Sequence, residues 1–117
     1  MIPDGFYAGY MSGEGYGVVL FVFRQGTIVG VDGGGVKFDG FYRQDPDNKN
    51  FEGTISIDAP PNIDLVQGVN TGQNGIRYDV PLVLPPNFME APFISVSTPF
   101  GQVNVKLEKL RDLGSVG

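Results

Sequence analysis

A chain of 117 residues, 41% hydrophobic and 18% charged, has the size of one domain with a real core and is too apolar for disorder. Its 18 Gly and 9 Pro argue against a helical bundle, and with no Cys and no His it has no disulfide, thiol nucleophile or imidazole base. A net charge of −5, with the few cations scattered among acids, speaks against a phosphate backbone as partner, so no direct nucleic-acid contact is expected.

The period of the hydrophobic pattern is two almost throughout, and it predicts eight strands at 5–11, 16–24, 27–32, 36–44, 50–59, 76–84, 92–98 and 102–109. The start, Met1 to Gly5, has no basic segment followed by an apolar one, so no signal peptide is read there. The first strand opens on Asp4-Gly5-Phe6-Tyr7. The second holds the longest apolar run, Val18 to Phe23, which is far too short to span a membrane. No membrane partner is expected, and the expected location is cytoplasmic. This strand is apolar on both faces, so its outer face should meet a terminal segment, a second sheet or another subunit. A homodimer is expected.

Gln25-Gly26 suits a tight hairpin into the third strand. Gly30-Val31-Asp32-Gly33-Gly34-Gly35 has the look of a phosphate loop, but the residues after it alternate like a strand and no helix pattern follows. It reads as a turn. The fourth strand repeats the word Asp-Gly-Phe-Tyr at Asp39 to Tyr42. After it, Asp45-Pro46-Asp47-Asn48 suits a type I turn with Asn48 in a left-handed conformation. Asp45, Asp47, Asn48, Asn50 and Glu52 are spaced somewhat like a calcium loop, yet Lys49 and Pro46 fit an exposed acidic hairpin tip better, and no metal is expected. With a tight turn, positions summing to 93 pair across the hairpin. Gly40 then faces Gly53 and Tyr42 faces Phe51, and the facing glycines bend the sheet.

Residues 60–75 break the rhythm. Asn62 could cap a brief helical turn through Val66 that ends at Gly68, and the segment is either a lid or a mobile connector. In the sixth strand Ile76, Tyr78, Val80, Leu82 and Leu84 share a face, and Pro81 marks an edge, a bulge or a strand end. Short links make sequential antiparallel neighbours. The fold expected is therefore an all-β, eight-stranded antiparallel up-and-down barrel, with a sandwich as the alternative.

Any catalytic base would have to be a carboxylate, Lys or Tyr; Asp39 with Asp79 is the pair that could meet if both point inward. The expectation is no enzyme and no cofactor. The strands instead offer an aromatic lining of Phe6, Tyr7, Tyr10, Phe21, Phe23, Phe38, Tyr42, Phe51 and Tyr78. A barrel of this size is either filled by side chains or holds one small apolar ligand. Tyr7, Phe38, Tyr42, Phe51 and Tyr78 are the candidate ligand-binding residues.

The order of these motifs resembles a known family. Asp4-Gly5-Phe6-Tyr7, the Gly13 to Gly17 run into an apolar strand, Gly26-Thr27-Ile28-Val29-Gly30-Val31-Asp32, and Asp39-Gly40-Phe41-Tyr42 leading into an acidic hairpin are similar to the GrlR-like negative regulators of type III secretion. The likeness runs from Asp4 to about Ile57, and Tyr78 to Pro86 fits the family's later strand. The resemblance implies a small lipocalin-like barrel, dimeric, with an apolar interior. It also implies a regulator that sequesters a transcriptional activator by protein contact without touching DNA. The family's recognition hairpin follows the fourth strand. Asp45, Asp47 and Asn48 are the matching candidate partner-binding residues, although Pro46 and Lys49 interrupt the run of alternating acids found in the name-giving member.

Overall fold

The computed structural model describes residues 3–114. Alternation of apolar and polar side chains, with β-branched and aromatic residues on the inner face, gives eight strands. They are β1 (Gly5–Ser12), β2 (Tyr16–Arg24), β3 (Thr27–Asp32), β4 (Lys37–Gln44), β5 (Phe51–Ala59), β6 (Ile76–Leu84), β7 (Ile94–Thr98) and β8 (Gly101–Arg111). Each expected strand is present with only small shifts at its ends, and no helix occurs among the described residues.

All ladders are antiparallel, and the sheet order is β6-β5-β4-β3-β2-β1-β8-β7. Pairing of β1 with β8, interrupted by one irregularity between Phe6 and Tyr7, wraps the sheet into a nearly closed up-and-down barrel. Its seam lies between β6 and β7, which run side by side with no ladder joining them among the described residues. Pro81 is therefore explained: it sits in an edge strand, where its missing N–H costs no ladder bond on the free side. The other edge, β7, is only five residues long, which limits how much unpaired backbone is offered.

Two hairpins show how local chemistry sets the register. Gln25 and Gly26 both take positive φ (49° and 80°), a type I′ turn whose twist matches the strands it joins. The β4–β5 hairpin differs from the tight turn expected. Asp45 N–H donates to the Asn50 carbonyl and Lys49 N–H to the Asp45 carbonyl, and Lys49 rather than Asn48 takes the left-handed conformation (φ 66°). The connection is thus longer, and the register moves by two: Tyr42 pairs with Gly53, Gly40 with Ile55 and Gln44 with Phe51. Because the shift is even, every side chain keeps its face. Gly53 remains indispensable to the bend, since a methyl group there would overlap the Phe41 carbonyl oxygen.

The core is unevenly distributed along the barrel axis. At the end holding the Gln25-Gly26 turn and the 45–50 hairpin, Tyr7, Phe23 and Phe51 surround Phe88, which is 0% exposed, and Tyr42 packs on Phe23 and Phe51. Phe88 comes from the connection between β6 and β7 and plugs this end. Burying each such ring contributes about 1.5–3 kcal/mol. Further along, Phe21 and Phe38 meet edge to face with centroids 5.4 Å apart. Gly9 and Gly30 flank the Phe21 ring on the neighbouring strands and leave it the space it occupies.

Candidate functional site

Beyond Phe21 and Phe38 the interior is hollow. A cavity of ≈ 310 Å³ runs toward the opposite end of the barrel, lined by Val36, Ile55, Ile57, Val80, Leu82, Ile94, Val96, Val103, Val105 and their neighbours. The lining is apolar in depth and acquires polar groups only at the rim, from Asp32, Asp64, Gln67, Tyr78 and Thr98. No Lys or Arg contributes to it.

Residues 60–75 cover this end, and they form a small hairpin instead of the helical turn expected after Asn62. Asn62 itself has φ 60°, which is incompatible with starting a helix. Its N–H donates to the Gly72 carbonyl, Thr71 N–H to Ile63, and Leu65 N–H to Val69, with an isolated bridge between Asp64 and Asn70. Buried Thr71 holds the base by donating to the Pro60 carbonyl and accepting from Ile63 N–H. The tip, Leu65 to Gly68, reaches over the cavity, where Ile63, Leu65 and Val66 face inward. On one side it docks on the β1–β2 turn, where Gly15 N–H donates to the Val66 carbonyl and a side chain at Gly13 would collide with that carbonyl. On the other side the Gln67 amide donates to the Tyr78 hydroxyl at 3.0 Å and to Thr98 Oγ1 at 3.2 Å. Tyr78 belongs to β6 and Thr98 to β7, so one lid side chain ties together the two edges that the sheet leaves unpaired. The Tyr78 and Phe100 rings, 5.3 Å apart and edge to face, reinforce the same crossing.

The five candidate ligand-binding aromatics divide by depth. Phe38 and Tyr78 line the cavity. Tyr7, Tyr42 and Phe51 also point inward but pack into the plugged end. Tyr7 donates its hydroxyl to the Pro3 carbonyl, and burial, aided by Tyr42 and the Asp4 carboxylate, pushes its pKa up to about 12. Burial likewise raises Tyr42 and Tyr78. Tyr10 is exposed on the outer face, which by alternation Phe6 shares, so neither lines the interior. Sequence reasoning named only aromatic rings, so it missed the aliphatic wall and Thr98, which lie on or beside alternating strands, and also Gln67 and the lid aliphatics, whose positions follow from a hairpin that has no periodic signal.

No family profile, curated protein or solved structure matches the chain.

The remaining candidates lie outside the barrel. Asp39 and Asp79 point outward and are not brought together inside; Asp79 instead accepts a hydrogen bond from the Ser56 hydroxyl at 2.6 Å. Asp45 turns its carboxylate into its own loop, where Oδ1 accepts from Asp47 N–H and Asn48 N–H. The Asn48 side chain caps Asn50 N–H. Asp47 is the hairpin acid left fully outward-facing. Across β1 to β4 the outer face carries Tyr10, Val18, Leu20, Val29, Val31 and Phe41, all exposed. Ladder pairs Tyr10–Val18 and Leu20–Val31 make this a continuous apolar surface.

Proposed function

We propose that the protein is a non-enzymatic regulatory barrel that works by protein–protein contact as a homodimer, sequestering a transcriptional regulator in the manner the GrlR-like resemblance implies. The observation that supports this reading is the apolar outer face of β1 to β4, since patches of this kind on soluble domains mark interaction surfaces. Its occupant is a second copy of the chain. Apolar side chains flank β2 on both sides, so a two-fold axis lying above that strand and parallel to it sets apolar against apolar, as an isologous interface requires. The regulator is then contacted at the 45–50 hairpin, with Asp47 as the projecting acid. Light scattering after size exclusion tests the dimer: wild type should have the mass of two chains and Leu20→Lys the mass of one. A monomeric wild type refutes it. Affinity capture from cells, with the recovered proteins identified, tests the partner: a DNA-binding regulator should be recovered by wild type and lost with Asp47→Lys. Equal recovery removes the hairpin from the contact.

A second reading is carried by the cavity. A partly open, lidded and largely apolar interior with polar groups confined to its rim is the form a small-ligand site takes. In this reading the barrel carries or senses a small apolar molecule, and native mass spectrometry of the purified protein would detect a retained one.

A further inference from the structure

We propose that the cavity takes a neutral, mostly hydrocarbon molecule of about a dozen carbons whose single polar group is a hydrogen-bond acceptor held by the Tyr78 hydroxyl. The inference rests on the ligand-binding reading above and adds the size, charge and head group of the ligand.

Size follows from volume. A buried apolar cavity of about 150 Å³ accepts benzene, with its six carbons. The space here, ≈ 310 Å³, is close to twice that. Charge follows from the lining. With no cation in the wall and two carboxylates, Asp32 and Asp64, at the rim, a carboxylate or phosphate head would meet repulsion and nothing to neutralise it. Asp32 Oδ1 is engaged by Gly34 and Val36 N–H, and Asp64 Oδ1 by the Asn70 amide, so both acids belong to their own loops.

The head group follows from counting protons at the lid. Gln67 Nε2 uses its two protons on Tyr78 and Thr98, and Thr98 uses its own on the Gly101 carbonyl at 2.6 Å. The Tyr78 hydroxyl accepts from Gln67 and gives its proton to no acceptor among the described residues. It is the one donor of this group left over, on a ring that lines the cavity. A hydroxyl with a spare proton matches a ketone, ester, ether or alcohol oxygen. A ligand bound there would join the lid–seam junction itself, adding an oxygen to the contacts by which Gln67 holds β6 to β7.

Four eleven-carbon probes test this by ligand-observed NMR titration at pH 7: 2-undecanone, undecanoate, undecylamine and pentylbenzene. 2-Undecanone should bind at least tenfold more tightly than undecanoate or undecylamine. Tyr78→Phe, which keeps the ring against Phe100, should weaken 2-undecanone about fivefold, the value of one net hydrogen bond, and leave pentylbenzene unchanged. Undecanoate or undecylamine binding as tightly as the ketone overturns the neutral-head assignment while leaving the ligand reading standing. Equal weakening of ketone and pentylbenzene by Tyr78→Phe overturns the role of the hydroxyl. Binding of none of the four overturns the ligand reading itself.

Discussion

Replacing Gly30 by Ala puts a methyl group where the Phe21 ring now lies. The new carbon would stand 2.5 Å from Phe21 Cδ1, 2.7 Å from Cε1 and 3.2 Å from Phe38 Cβ. Comfortable carbon contacts are about 3.5–4.0 Å, so the ring must retreat by roughly 1 Å. It cannot retreat toward β1, because Gly9 already lies so close that a side chain there would be 2.6 Å from Cε2. Overpacking of this kind costs about 1–3 kcal/mol. Ala in place of Gly in a strand returns about 0.5–1 kcal/mol, leaving a net loss of about 1.25 kcal/mol at the middle of both ranges. At ~4–8 °C per kcal/mol for a small domain, Tm should fall by roughly 5–10 °C in differential scanning calorimetry. The decisive measurement is the double mutant. With Phe21→Leu already in place the obstruction is gone, so Gly30→Ala should become neutral or mildly stabilising, a coupling of about 2 kcal/mol. Additive losses would refute the argument that Gly30 exists to seat Phe21. Gly33→Ala is the control, since nothing lies within 4 Å of the added carbon, and it should leave Tm unchanged or raise it slightly.

Lys49→Gly should stabilise the protein by up to about 1 kcal/mol in urea denaturation, because Lys49 holds φ 66° in a conformation that glycine adopts without strain. Tyr7 ties stability to alkaline pH. Its folded pKa, about 12, exceeds the ordinary 10.0, so the stabilisation is full below pH 10 and is lost as pH rises toward 12. Two pKa units correspond to roughly 3 kcal/mol, and Tyr7→Phe should flatten the fall in stability across that window while losing about 1 kcal/mol at pH 7 with the Pro3 hydrogen bond. An unchanged alkaline slope would refute the assignment. Phe88→Ala should cost about 3–5 kcal/mol by equilibrium unfolding, since the ring is fully buried among Tyr7, Phe23 and Phe51; a loss under 1 kcal/mol would show that it is no plug.

Much of the fold was legible because alternation is a strong local signal. It placed the eight strands, set Phe38 and Tyr78 inward, and marked β2 as apolar on its outer face. It says which face a side chain occupies and nothing about depth along the barrel, which is why Tyr7, Tyr42 and Phe51 could not be told from cavity residues. Register was equally out of reach at the β4–β5 hairpin. There the left-handed residue is Lys49, a type with no preference for that conformation, so the sequence pointed to Asn48 and a shorter turn. The lid is built from backbone hydrogen bonds between Asn62 and Gly72, and such pairing leaves no hydrophobic period. Pro81 signalled an edge, a bulge or a strand end without choosing among them, and only the pairing of β1 with β8 explains why an edge falls there.

That pairing also has a consequence for how the chain reaches its native state. Six of the seven ladders join strands consecutive in sequence, and each can form as a hairpin or across one connection. The seventh brings Phe6 to Arg111 and Ser12 to Asn104, from opposite ends of the chain. Contacts of such separation carry the largest loop-closure entropy and dominate the folding time of β-proteins. The last event in folding should therefore be the docking of the β7–β8 hairpin onto β1, with the cavity enclosed only then. A chain re-cut at the β6–β7 seam, with its present ends linked, would keep all seven ladders, make each of them local, and fold faster to the same barrel.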